Sequence, residues 1–456
     1  MNPPINKRTA LVATTAASFL TPFAGTSVNI ALPSIGRDFA MDAILLSWVP
    51  TAYLLAAAMF LVPFGRIGDI YGRKKVFVYG MVIFTLGALL SGVAQSALAL
   101  ILFRAVQGIG ASMIFGTGVA IVTSIFAEGE RGKALGINVA SVYVGQSVGP
   151  FIGGFLTEHL GWRSIFLVMV PLGVFLLVAI LKALKQEWAG ARGESFDWVG
   201  SIIYSLTLVA IMYGFSLLPR ITGGVIIALG GCGLLAFILW ELREKSPILN
   251  INLFRGNRVF AFSNLAALVN YSATFAVSFL LSLFLQYIKG YTPLHAGSIL
   301  VFQPATQAIF SPFAGRLSDR MEPRIVASIG MSFTAIGLLL LVFLKEETSL
   351  AYIVACLLLL GFGFALFSSP NTNAIMSSVD RKSYGVASGT TSTMRVIGQM
   401  LSMGVATLIF AVYIGRVQIN VASHQLFLKS IGVAFAVFAV LCFGGIFASL
   451  ARGKLR

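Results

Sequence analysis

The sequence predicts an all-α polytopic membrane protein of fourteen transmembrane helices, arranged as two six-helix halves with an inserted helix pair between them. Three observations carry this. Hydrophobic residues make up 57% of the 456 residues and charged residues 11%, with a mean hydropathy of +0.91, far from the usage of soluble domains. Apolar runs of the ~20 residues needed to cross a bilayer recur along the chain with short connections. A basic turn, GRIGDIYGRKK at Gly65 to Lys75, returns in shortened form as GRLSDRMEPR at Gly315 to Arg324, which signals an internal duplication.

The first span, 9–33, follows Lys7 and Arg8. It is longer than a signal-peptide core and has no small-residue cleavage site after it, so it is expected to be retained. Spans two and three, 46–65 and 76–95, flank the basic turn, and spans four to six, 98–126, 133–157 and 162–184, complete a first half over 1–184. Spans seven and eight, 198–218 and 221–241, lie between the two longest connections, so 185–258 reads as an inserted hairpin with its linkers. The second half, 259–456, holds spans at 259–287, 294–316, 324–344, 349–370, 384–413 and 427–450.

An even number of spans puts both termini on one side, and the charges choose it. Arg73, Lys74, Lys75, Arg131, Lys133, Lys182, Lys185, Arg192, Arg243, Lys245, Arg255, Arg258, Arg320, Arg324, Arg381 and Lys382 fall on the face that carries the termini, whereas the other face holds few cations. That face is expected to be cytoplasmic. The excess of 32 basic over 16 acidic residues is therefore a topology signal and an anionic-lipid contact, not a nucleic-acid footprint. Cys232, Cys356 and Cys442 all lie within apolar runs and read as packing residues.

Several motifs have physical consequences. In the basic turn, Gly65 and Gly72 permit close approach and a sharp bend, while Asp69 and Arg73 can form a polar latch at a helix end; Asp319 is the counterpart in the second copy. The fifth span carries Gly145, Gly149, Pro150 and Gly153, a small-residue face on which another helix can cross closely and bend. Gly145-Gln146 is matched by Gly398-Gln399 in the thirteenth span.

With Arg104-Ala-Val-Gln107-Gly108-Ile-Gly110 in span four, these motifs and the fourteen spans resemble the major facilitator superfamily, specifically its fourteen-spanner drug:proton antiporter family. Val28 to Pro33, Trp162-Arg163, Asp197 to Gly200 and Leu253 to Arg255 add to the resemblance, which covers nearly the whole chain. It implies a major facilitator fold working by rocker-switch alternating access. It also implies that the Gly65 turn stabilises the outward-open state by clamping the second span against the start of the thirteenth, that the span-five pattern marks an antiporter, and that Arg104 with Gln107 serves proton transfer or coupling.

Charge inside the spans is sparse. Arg104 and Arg395 lie well within spans, where each needs a partner or water, and no Asp or Glu does. The family's usual first-span aspartate is replaced by Ala24. A buried carboxylate serves both as counter-ion for a lipophilic cation and as a titrating group, so its loss disfavours dicationic drugs and opens the question of the coupling route. The expected pocket is aromatic and amide-rich: Asn29, Tyr143, Gln146, Asn270, Tyr271, Phe275, Gln303 and Gln307, with Arg395 as its cation.

No metal-ligand spacing, nucleotide loop or nucleophilic triad is found. The expectation is a non-enzymatic secondary active transporter of the cell membrane that exports small amphipathic molecules, with protons as the coupled ion, the bilayer as its surroundings, a monomeric state, and no cofactor or nucleic acid. Two alternatives stay open: an importer or facilitator of a small organic anion, and a transport-inactive membrane sensor or scaffold.

Overall fold

The computed structural model describes residues 7–126, 128–380 and 384–453; Arg381 and Lys382, counted above on the basic face, lie outside the described residues. The first half contains α1 (Lys7–Asp38), α2 (Ala43–Tyr71), α3 (Arg73–Gly92), α4 (Ala97–Ile125), α5 (Glu128–Leu160) and α6 (Arg163–Ala183). The helix pair read above as an inserted hairpin is α7 (Trp198–Leu217) and α8 (Ile221–Glu241), followed by the short α9 (Ile251–Gly256). The second half runs through α10 (Arg258–Thr274), α11 (Ala276–Leu283), α12 (Pro293–Leu300), α13 (Phe302–Arg320), α14 (Pro323–Leu341), α15 (Leu350–Ser377), α16 (Tyr384–Tyr413) and α17 (His424–Ala451).

Helix starts follow local chemistry. Asp42, Ser96, Asp197, Asn257, Thr292 and Ser349 each accept a first-turn N–H of the helix they precede. In the second basic turn, Glu322-Pro323 stands where Gly-Arg would repeat, and Pro323 opens α14, a place where its missing N–H costs nothing.

Thirteen helices among the described residues are long and apolar enough to cross a membrane. The expected tenth span is broken into α12 and α13 at Val301. Pro304 cannot donate to Leu300 and its ring crowds that carbonyl, and Gln303, Gln307 and Pro312 make α13 the most polar of the long helices. The ninth span is also interrupted: α10 gives way to α11 at Phe275, and α11 runs into a π turn at Phe284–Ile288. At the first break the Ala276 N–H leaves the helical ladder and donates to Ser402 Oγ of α16 at 3.0 Å, so the interruption is satisfied from a neighbouring helix.

Within each half the same kind of crossing recurs. A Cβ at Gly145 of α5 would lie 2.5 Å from the Phe19 carbonyl of α1, and one at Gly398 of α16 would lie 2.7 Å from the Leu268 carbonyl of α10. Small residues let backbones meet at both places. Helix α7 packs on α8 and touches both α2 and α16. Its Tyr204 hydroxyl donates to the Ala58 carbonyl of α2 at 2.9 Å, while Met212 and Phe215 press on Gly404 of α16. Much of α8 is exposed, Leu229, Leu234 and Leu235 included, as expected for a lipid-facing helix.

Candidate functional site

The two halves meet along α1, α2, α4 and α5 on one side and α11, α12, α13, α15 and α16 on the other, and they are closed at the end of the bundle distal to the termini. There Ser47 Oγ and Thr407 Oγ1 are 2.9 Å apart, and the Ala43 N–H donates to the Val417 carbonyl at 3.0 Å. Ser282 Oγ donates to the Asn29 carbonyl at 2.7 Å, and Gln286 Nε2 to the Ile30 carbonyl at 2.9 Å. The Leu294 N–H at the start of α12 donates to Glu158 Oε2 of α5 at 2.9 Å. Glycines complete the contact: a Cβ at Gly154 would lie 2.5 Å from the Pro293 carbonyl, and one at Gly297 would lie 2.3 Å from the Pro150 carbonyl. The α5–α12 crossing is thus backbone against backbone.

Beneath this seal lies a chamber of about 80 Å³. Asn29, Gln146, Gln303, Gln307 and Gln399 supply its amides, and Tyr271, Phe275 and Phe364 its aromatic faces. Among the described residues, both polar atoms of Asn29, Gln307 Nε2 and Ser278 Oγ are buried without a hydrogen-bond partner. Buried polar groups are normally paired, so these atoms are available to a bound molecule or to water. A second, smaller chamber shares Thr26, Gln146, Phe275 and Gln399 with the first and adds Tyr53, Phe115 and Arg395.

Arg395 is half-buried, and its guanidinium sits 5.7 Å from the centre of the Phe115 ring. Among the described residues, no hydrogen bond or ion pair neutralises it. Phe115 in turn lines a cavity of about 380 Å³ between the termini-bearing ends of α2, α4 and α16. The chambers and this mouth form a series from the sealed end to the termini end, with the Phe115–Arg395 pair between them.

Arg104 is not on the cavity wall. It is fully buried, so it does not snorkel outward; its Nη1 donates to Gln107 Oε1 at 2.5 Å, Nη2 to the Ala24 carbonyl at 3.4 Å and Nε to the Val49 carbonyl at 3.4 Å. The Tyr53 ring, which lines the second chamber, covers it at 4.3 Å. The cation is held by carbonyl dipoles, an amide and aromatic faces in place of a carboxylate. It sits one side chain behind the cavity.

The Gly65 turn is built tightly. Asp69 Oδ1 accepts from Arg73 Nε at 2.7 Å, and Arg73 Nη1 reaches Ser124 Oγ at 2.7 Å and the Ala120 carbonyl at 3.2 Å on α4. Glu187, from the linker to the hairpin, accepts the Lys74 and Lys75 N–H groups that open α3. Gly72 has φ +128°, and a Cβ there would strike the Glu187 carboxyl. The latch therefore joins α2, α3, α4 and the linker. Among the described residues the clamp onto the start of α16 is not made: the 380 Å³ mouth separates Gly65 and Asp69 from Gly385, Gly389 and Thr390. In the second half Asp319 is reached by Asn373 Nδ2 of α15 at 3.4 Å.

Asn29, Gln146, Tyr271, Phe275, Gln303, Gln307 and Arg395 all fall on chamber walls. Two residues do not. Tyr143 bridges the halves, its hydroxyl 2.5 Å from Ser368 Oγ of α15, and Asn270 is buried in α10 away from the chambers. Depth along a helix selects both residues, and depth does not give the facing direction. Gln399 joins the site without having been expected there, although its pairing with Gln146 is the available signal; Phe115, Phe364 and Ser278 carry none.

Comparison with known proteins agrees with this architecture. The Major Facilitator Superfamily profile matches residues 14–302 and 263–454. The chain is 31% identical over 431 residues to the riboflavin transporter RibZ of Clostridioides difficile (strain 630), spanning 94% of this chain and 93% of that one. It is 32% identical over 463 residues to the cephamycin export protein CmcT of Amycolatopsis lactamdurans, covering 97% and 93%. In fold it is similar to the peptide transporter POT crystallised with sulfate, with a TM-score of 0.69 at 13% identity over 95% of this chain and 93% of the other. The chain belongs to the Major Facilitator Superfamily and is a multi-pass secondary transporter.

Proposed function

We propose that the protein exports small, uncharged or weakly charged amphipathic molecules by alternating access, with the amide-lined chambers between the halves as the substrate site. The observation that carries this reading is a series of neighbouring cavities that share lining residues, with inter-half hydrogen bonds at the distal end and the large mouth at the termini end. The concentration of Lys and Arg on the termini side supports a cytoplasmic location for the mouth and, with it, an inward-facing reading of this arrangement. The similarity to a cephamycin export protein supports outward movement.

The chamber chemistry supports a substrate class. Five amides offer donors and acceptors in pairs, three aromatic rings offer flat faces, and no carboxylate is present to hold a cation. Flat molecules with adjacent donor and acceptor groups fit this inventory better than dications, and the riboflavin transporter among the relatives makes riboflavin a sensible first ligand. A second reading, uptake or facilitated passage of a small organic anion, is favoured by Arg395, which has no ion-pair partner among the described residues.

Proton coupling is part of the proposal, because moving one charge against 100 mV costs about 2.3 kcal/mol, which an exchanged proton offsets. The test is transport by the purified protein in proteoliposomes with and without an imposed pH gradient, using riboflavin, a lipophilic cation and an organic anion. Gradient-dependent movement of the neutral ligand is expected. Equal rates with and without the gradient would remove antiport, and selective movement of the anion would favour the second reading.

A further inference from the structure

The inserted hairpin carries a buried acid pair that neither the chambers nor the latch uses. Asp197 caps α7: its Oδ1 accepts the Gly200 N–H at 2.9 Å, and the Trp240 indole N–H reaches both its oxygens at 3.1 Å. Glu241, the last residue of α8, accepts the Leu249 N–H on Oε2 at 2.9 Å. The two residues are 7% and 2% exposed. Their carboxyls close on one point, since a Cβ at Gly200 would meet Asp197 Oδ2 at 2.1 Å and Glu241 Oε1 at 2.5 Å, so the two oxygens are near neighbours.

Donors are already assigned to the other oxygens, and Glu241 Oε1 has none among the described residues. The charges acting on Glu241 are those of Asp197 and Glu244, both acidic. Basic groups bordering the nearby mouth are Arg66 of α2, paired with Glu194, Arg73 of α3, paired with Asp69, and the exposed Lys245. Helix α16 brings no titratable side chain to that mouth among the described residues. Two ionised carboxylates with neighbouring oxygens, buried and without a cation among their described partners, repel strongly, and a single shared proton supplies the donor that Oε1 lacks.

We propose that Asp197 and Glu241 together form a proton-binding site, separate from the substrate chambers, whose occupancy holds the 242–250 linker against the cavity mouth. The mechanical connection is short. Leu249 hangs on Glu241, and Ile248, Leu249 and Asn250 line the mouth. Loss of the proton drives the carboxylates apart, and the displaced Glu241 carries Leu249 with it and moves that wall. The mouth then responds to pH on the side to which it opens. Its consequence for transport rests on the exporter reading, whereas the proton site does not.

The experiment is a nitroxide attached through Ser246→Cys, with Cys232→Ala to remove the exposed thiol, on the full chain in lipid nanodiscs. Its line shape is followed between about pH 5 and 9, the range open to a buried carboxyl pair. An immobilised label is expected at acid pH and a mobile one at alkaline pH, with the ratio of the two changing about tenfold per pH unit along a one-proton curve. Glu241→Gln keeps an acceptor for Leu249 and donates to Asp197, so its label stays immobilised throughout; Asp197→Asn is the second variant with the same expectation. Glu241→Ala should leave the label mobile throughout. If Glu241→Gln or Asp197→Asn titrates with the parent's midpoint, the proposal is overturned, as it is by a parent spectrum unchanged over the whole range. Efflux measured on the same preparations is scored separately, so absent transport with an intact titration would sink the exporter reading alone.

Discussion

At the scale of single residues, two arginines that look alike in the sequence take different parts. Arg395 faces the second chamber with Phe115 as its neighbour, whereas Arg104 is enclosed by Ala24, Val49, Gln107 and Tyr53. Arg395→Gln should therefore leave thermal stability nearly unchanged while lowering the affinity for anionic ligands about tenfold, the loss of roughly one charge-assisted hydrogen bond; ligand-induced melting shifts read this. Arg104→Leu should act on stability instead. Its removal leaves the Gln107 oxygen and two carbonyls short of a donor, at about 1–3 kcal/mol for each buried group left unpaired, so the ligand-free melting temperature should fall markedly. The two arginines were legible as costly charges within spans, but their separation was not, because the partners of Arg104 come from α1 and α2. Arg452 shows the same limit: it is 1% exposed and donates to Ser263 Oγ and Asn371 Oδ1, yet in the sequence it is one more cation beyond the last apolar run.

At the scale of elements, the order and approximate bounds of the spans follow from hydropathy, since burial in lipid demands length and apolar character before any tertiary contact forms. The interruptions at Phe275 and Val301 do not. The first depends on Ser402 accepting the Ala276 N–H from another helix, and the second on Pro304 in a segment whose average composition still reads as a single span. Both breaks border the first chamber, where Phe275, Leu300, Gln303 and Pro304 converge. The glycine face of α5 was legible as a crossing surface, and its partner on the far half, α12, was not. That crossing makes a prediction. Gly297→Leu places a side chain where a Cβ alone would lie 2.3 Å from the Pro150 carbonyl, so the distal seal cannot close as it does here. The variant should fold, because each half keeps its own packing, but efflux should fall at least about tenfold as the sealed state is disfavoured by more than ~1.4 kcal/mol. Increased reaction of a distal cysteine probe at Ser282→Cys checks the shift; unchanged reactivity and efflux together would count against the crossing as part of the gate.

For the whole molecule, one sequence must encode two packings of the halves, which is why no reading of residues tells which is populated. The present arrangement joins the halves distally and parts them at the termini end, and the latch at Asp69 and Arg73 is engaged only within the first half and its linker. In the alternative packing that the proposed exporter mechanism requires, the distal bonds would break and Gly65 and Asp69 would approach the start of α16. Two cysteine pairs can separate these states. Ser47→Cys with Thr407→Cys replaces hydroxyls whose oxygens are 2.9 Å apart, so oxidation should crosslink them readily in the resting protein. Arg66→Cys with Thr390→Cys spans the open mouth and should crosslink only when the halves rock. Oxidising the first pair should abolish efflux and a reductant should restore it, because cycling requires the distal seal to open. Substrate added with a gradient should raise the crosslinking rate of the second pair and slow that of the first, since the populations of the two packings sum to one. Independent responses, with the first pair crosslinked and efflux intact, would exclude a rocking motion about the central chambers and leave only movement of individual helices.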